Sequence, residues 1–180
     1  AQQRYTLRGD TLRVALAVRN TGGMALPFGL GLHPFFLHHG DARLRAAATQ
    51  VWLNDGHSPI PTERAAVPPA WDFRDSRELP PVELNHCFVG WDGDGTIEWP
   101  GLGLALDIAA DVDAFILYTP AAAGFFCFEP VDHAIDAVHR PGGAFANGMT
   151  RLAPGERLAR HFAFRVRPLA AAATPFPLMP

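Results

Sequence analysis

The sequence contains no lysine: all fifteen basic residues are arginine, scattered along 180 residues without forming a stripe, against eighteen acidic residues. That dispersal and a net charge of −3 exclude a phosphate-tracking surface, so nucleic acid is not an expected partner. Cysteine is scarce. Cys87 and Cys127 lie 40 residues apart and match no zinc-ligand spacing, which predicts two buried thiols in a reducing, cytoplasmic compartment, with a disulfide between them as the alternative. Long hydrophobic runs are also missing, because Gly, Pro or charge interrupts each one before the ~18 residues that a membrane helix needs. No membrane span is expected. A sustained 3.6-residue period is absent as well, and with it any long amphipathic helix.

What is present is punctuation and alternation. Seventeen glycines and seventeen prolines, scattered without a period, mark a turn-rich all-β chain. With 48% hydrophobic residues, the length suffices for one core and is short for two, which predicts a single β-sandwich domain over residues 1–169. In LRVALAVRN, Leu12, Val14, Leu16 and Val18 alternate with Arg13, Ala15, Ala17 and Arg19, the period of a half-buried strand, and NTGG then turns the chain. Leu102, Leu104, Leu106 and Ile108 repeat the pattern, as do Phe162, Phe164 and Val166. DAFILYTP and GFFCFEP read as buried strands stopped by Pro120 and Pro130. Six prolines between Pro59 and Pro81 predict a long crossing loop with a short turn near WDFRDS, and LAPGE reads as a tight turn around Pro154 and Gly155. Residues 170–180 read as a loosely ordered tail. The expected architecture is an antiparallel sandwich with ligands lying across one sheet.

Two polar residues stand where a packed strand would not want them. Alternation in GFFCFEP puts Phe126 and Phe128 on one face and Phe125, Cys127 and Glu129 on the other, so a carboxylate ends an apolar strand. It is either a rim acid or a base whose proton affinity is raised by its surroundings. In GLHPFFLHH, Pro34 forces His33 toward an extended backbone and so aims its side chain. His33 is either a hydrogen-bonded core residue or, beside a carboxylate, a proton donor. His38 and His39 read as an exposed turn, and only one of them could join His33 on a face, so no metal site is expected. His133 and His139 read as loop residues, while Trp91 and Trp99 are either core or sugar-stacking faces.

GLHPFF, then LNHCFVGWDG at 84–93, CFEPVDHAIDA at 127–137 and MTRLAPGERLARHFAFRV at 149–166 occur in that order. Together they closely resemble the aldose 1-epimerase (mutarotase) family, particularly its bacterial members, over roughly residues 5–167. The resemblance implies an antiparallel β-supersandwich of the galactose mutarotase type and interconversion of the α and β anomers of an aldohexose. It makes His33 the general acid on the ring oxygen and Glu129 the general base on the C1 hydroxyl, with Asn85, His86 and Trp91 binding substrate and with no cofactor. The protein would act as a monomer or homodimer. Asn85 departs from the aspartate that many members carry, exchanging a charge for an amide. The family also contributes an Arg and a further His from a region before the point where this sequence begins, so the chain is expected to be a C-terminal portion of the supersandwich.

Two other readings remain. A non-catalytic carbohydrate-binding domain would use Asn85, Trp91 and Glu129 to hold a sugar unopened. A glycoside hydrolase would need a second carboxylate facing Glu129, for which Asp132 and Asp136 are the nearest in sequence.

Overall fold

A computed structural model describes residues 1–169 apart from Pro59 and Ala122. The tail expected at 170–180 lies outside the described residues. The strands, in chain order, are β1 (Gln2–Arg8), β2 (Thr11–Arg19), β3 (Leu26–Phe28), β4 (Phe35–Leu37), β5 (Arg43–Ala46), β6 (Gln50–Leu53), β7 (Glu63–Ala66) and β8 (Arg77–Glu78). They continue with β9 (Leu84–Val89), β10 (Asp94–Trp99), β11 (Leu104–Ala110), β12 (Ala114–Thr119), β13 (Phe125–Val131), β14 (Thr150–Leu152) and β15 (Arg157–Pro168). One α-helical turn, α1 (Gly143–Ala146), precedes β14.

Among the described residues every strand pairing is antiparallel, and the strands form two large sheets. The first runs β1-β2-β15-β11-β10-β5-β8, the second β4-β13-β12-β9-β6-β7, with β14-β3 as a separate ribbon. Alternation decides what each sheet buries. In the seven-stranded sheet Val14 pairs with Phe162, Leu12 with Phe164, and Phe164 with Ile108, giving one continuous apolar face. Its opposite face carries Arg165, Asp107, Thr96 and Arg45 in cross-strand register. Arg165 and Arg167 both bond the Asp107 carboxylate, and although burial opposes ionisation there, the two guanidinium groups hold its pKa below the usual range.

In the six-stranded sheet the inward face is aromatic. Phe88 stacks on Phe115 at 4.9 Å, Phe115 meets Phe128 at 4.6 Å, and all three are fully buried. Each such ring contributes up to about 3 kcal/mol by leaving water. Trp91 packs edge-on against Phe115 and Phe128 at 5.6 and 5.5 Å, and its indole N–H donates to the Asp94 carbonyl at 2.7 Å.

Three elements differ from the sequence reading. β13 is not stopped by Pro130 but runs through it to Val131, with Pro130 opposite Phe115 on β12. The Pro59–Pro81 stretch is not one loop, since β7 pairs with β6 and β8 with β5. Both lie at sheet edges, where neighbouring prolines remove no ladder hydrogen bond. The strand expected from Leu102 starts at Leu104, because Pro100–Leu102 forms a 3-10 turn closed by Gly103 at φ 63°. Cys87 and Cys127 are free and buried. Among the described residues no helix is long and apolar enough to cross a membrane.

Candidate active site

The outward face of the six-stranded sheet carries the groups that could do chemistry. Cross-strand register sets Arg64, Trp52, Cys87, Ile116 and Glu129 in one row. A second row holds Asn85, Tyr118, Cys127 and Phe35. Glu129 therefore shares a face with Asn85, Tyr118 and Cys127 and points away from the aromatic core.

His33 reaches this face through a tethered approach. Gly31 bridges to Val131, the Leu32 N–H donates to the Pro130 carbonyl at 3.0 Å, and the Asp132 N–H donates to the Leu30 carbonyl at 3.1 Å. The Leu30 N–H donates in turn to Asp132 Oδ1 at 2.8 Å. Asp132 also accepts from Arg160 Nε at 2.9 Å and lies 2.9 Å from His133 Nδ1, so this buried carboxylate joins the His33 approach to the opposite sheet. Glycine is required at 31, where a Cβ would come within 2.5 Å of Val131 Cγ1. Pro34 then keeps His33 extended, and β4 begins alongside β13 with Phe35 opposite Cys127.

The result is a juxtaposition of residues 96 positions apart in sequence. His33 Nε2 lies 3.3 Å from Glu129 Oε1; the imidazole side chain is 58% exposed and the carboxylate 9%. The imidazole stacks on Phe35 at 5.0 Å, and Phe35 rests on Phe125, also at 5.0 Å. Burial raises the Glu129 pKa, and the nearby His33 charge partly offsets that. Cys127 sits beside the pair, its thiol pushed up to about 11 by burial and then by the Glu129 charge. A ring nitrogen of His33, the Cys127 sulfur and a Glu129 oxygen all lie within 4.8 Å of one another, a donor set able to hold a metal ion.

The other expected contacts divide. Asn85 shares the Glu129 face, two strands from Cys127, about 10 Å at the backbone by normal strand spacing. Its neighbour His86 does not, because adjacent strand residues point to opposite faces: His86 opposes Leu117 on the inward face and stacks on Trp71 at 4.9 Å. Only 8% of His86 is exposed, its Nδ1 has no partner, and burial lowers its pKa despite a hydrogen bond to the Trp52 backbone. Trp91 likewise lies away from this face, its ring clamped inside the core with no face for a ligand. Trp99 packs near Phe36 and donates its N–H to the Leu37 carbonyl.

His39 and Asp41 form an exposed pair, as do His139 and Asp136. Asp132 is fully occupied by its tethers and Asp136 by Arg140 and His139, so neither supplies the second carboxylate of a hydrolase. Tyr118 was not anticipated on the Glu129 face, although the alternation of DAFILYTP places it with Ile116.

Comparison with known proteins identifies the family. A family model described as aldose 1-epimerase matches residues 1–165. The uncharacterized protein YphB of Escherichia coli (strain K12) is 34% identical over 173 residues, covering 91% of this chain and 59% of its own length. The chain thus spans about three fifths of that relative. A crystal structure of a provisionally assigned aldose 1-epimerase from E. coli K12 superposes with a TM-score of 0.84 at 34% identity, over 93% of this chain and 60% of that one. A galactose mutarotase-like protein from Lactobacillus casei shares the fold, with a TM-score of 0.75 at 20% identity over 91% of this chain and 61% of that one. By sequence, fold and the match over nearly its whole length, the chain belongs to the aldose 1-epimerase family.

Proposed function

We propose that the protein interconverts the α and β anomers of an aldohexose, with His33 as general acid and Glu129 as general base. The pairing of an exposed imidazole with a buried carboxylate on one sheet face carries this reading. Anomer exchange moves protons at two oxygens attached to the same carbon, so the acid and base must lie close together. A sugar entering from the solvent side meets His33 first. Glu129 takes the proton from the C1 hydroxyl while His33 protonates the ring oxygen, the C1–ring-oxygen bond breaks, and an open-chain aldehyde results. Rotation about C1–C2 and reclosure on the other carbonyl face return both protons.

Each group suits its part. A carboxylate in apolar surroundings holds a proton more readily than one in water, and burial of Glu129 works in that direction. An imidazole both gives and regains a proton near neutrality. Asn85, on the same face, would donate to and accept from sugar hydroxyls without adding charge. The two unpaired thiols fit a cytoplasmic setting.

Two-dimensional exchange NMR on α- and β-glucose and on the galactose anomers tests the proposal. The protein should accelerate exchange, and His33→Asn and Glu129→Gln should each lose on the order of a hundredfold or more. Parental rates in both variants would overturn the assignment.

A further inference from the structure

The acid-base chemistry leaves unused a reactive group that lies beside the His33–Glu129 pair, the Cys127 thiol. Cys127 and Glu129 alternate along β13 and project from the same side, and β13 is hydrogen-bonded on both flanks by β4 and β12, so two of the three donors ride on a fixed support. His33 approaches from the rim, with 58% of its side chain in solvent, which gives an ion an entry path and leaves the ring room to adjust. The three ligand atoms lie within 4.8 Å of one another, and His33 and Glu129 are already 3.3 Å apart. Zinc bond lengths of about 2.0–2.3 Å set tetrahedral donors roughly 3.3–3.7 Å apart, so closing the set takes a movement of about an ångström.

We propose that His33, Cys127 and Glu129 form a binding site for a zinc-class divalent cation, and that the bound ion switches the anomer chemistry off. The donor set selects the ion: one nitrogen, one sulfur and one carboxylate oxygen suit zinc, whereas magnesium and calcium take oxygen ligands. Binding replaces the thiol proton, released to solvent, with a metal–sulfur bond, and the outward position stays open to water. The imidazole lone pair and the carboxylate are then both engaged, so neither can exchange a proton with a sugar. The switch rests on the epimerase reading of the same site; the binding does not.

Cobalt(II), a spectroscopic stand-in for zinc, separates the two. Titrated into protein freed of metal by EDTA, it should give a thiolate-to-cobalt charge-transfer band in the near ultraviolet and the intense visible bands of four-coordination. Zinc should displace both. Cys127→Ser should abolish the charge-transfer band and Cys87→Ser should keep it. In exchange assays, zinc should slow the parent at least about tenfold, reversibly with EDTA, whereas Cys127→Ser should keep the parental basal rate and need at least about ten times more zinc. A cobalt spectrum without the thiolate band, or a band that survives Cys127→Ser, overturns the site. Equal zinc inhibition of parent and Cys127→Ser overturns the switch. If the protein shows no anomer exchange, the epimerase reading and the switch fall together, and the cobalt spectra still decide the metal site.

Discussion

Replacing Asp132 tests how the fold delivers its histidine. The side chain is 4% exposed and holds three partners from three places: the Leu30 N–H, the Arg160 guanidinium and the His133 ring. Asp132→Ala strips the acceptor from Leu30 and leaves Arg160 without its counter-charge. Breaking a buried ion pair from one side costs about 3–5 kcal/mol. Arg160 keeps 23% of its side chain in water, which puts the expected loss at the lower end, about 3 kcal/mol. Asp132→Asn retains an oxygen for Leu30 but sets an amide NH2 donor where Oδ2 accepted from Arg160, losing the charge and that one hydrogen bond, so about 1–3 kcal/mol is expected. Urea denaturation followed by tryptophan fluorescence reads the difference directly. With a slope of about 1–3 kcal/mol per molar, the alanine variant should unfold roughly 1–3 M earlier. Under conditions where both variants remain folded, anomer exchange should also fall, because the segment from Leu30 leads straight to His33. An alanine variant within about 0.5 kcal/mol of the parent would refute the tether.

Two further perturbations separate packing from binding. Trp91→Ala should cost about 3–5 kcal/mol in urea denaturation, the usual loss for a large core aromatic, and a variant of parental stability with weakened sugar binding would return Trp91 to the site. His86 has a depressed pKa in the folded state, so the unfolded chain binds the proton more readily. Its contribution is present above the unfolded value of about 6.5 and is lost as pH falls below it, so denaturation midpoints should drop toward pH 5 and His86→Leu should flatten that part of the profile. An unchanged slope in the variant would show that other groups cause the loss.

Where one face of a strand is buried, alternation announces it. Leu12, Val14 and Leu16 on β2 and Phe162 and Phe164 on β15 were legible for that reason, and so was the parity that puts Glu129 opposite Phe128. Parity within a strand does not tell which face of a neighbour it matches, because register is a tertiary quantity. Asn85 and His86 are adjacent in a motif that suggests one joint task, yet only Asn85 shares the Glu129 face. Trp91 follows Gly90, whose φ of 70° turns the chain inward, and outside a strand no period marks that direction. The short β7 carries ERAA, too small and too polar to stand out among prolines, and exists through its pairing with β6. The Asp132 tether is invisible for the same reason, since Leu30 and Arg160 are remote from it in sequence.

In the proposed reaction His33 and Glu129 act as one unit on a single sugar. Exchange rates of His33→Asn, Glu129→Gln and the double variant measure it directly, because groups that share a step lose most of their effect at the first removal. The double variant should be about as slow as either single one. Independent, multiplicative losses, or no loss in any of the three, would contradict it.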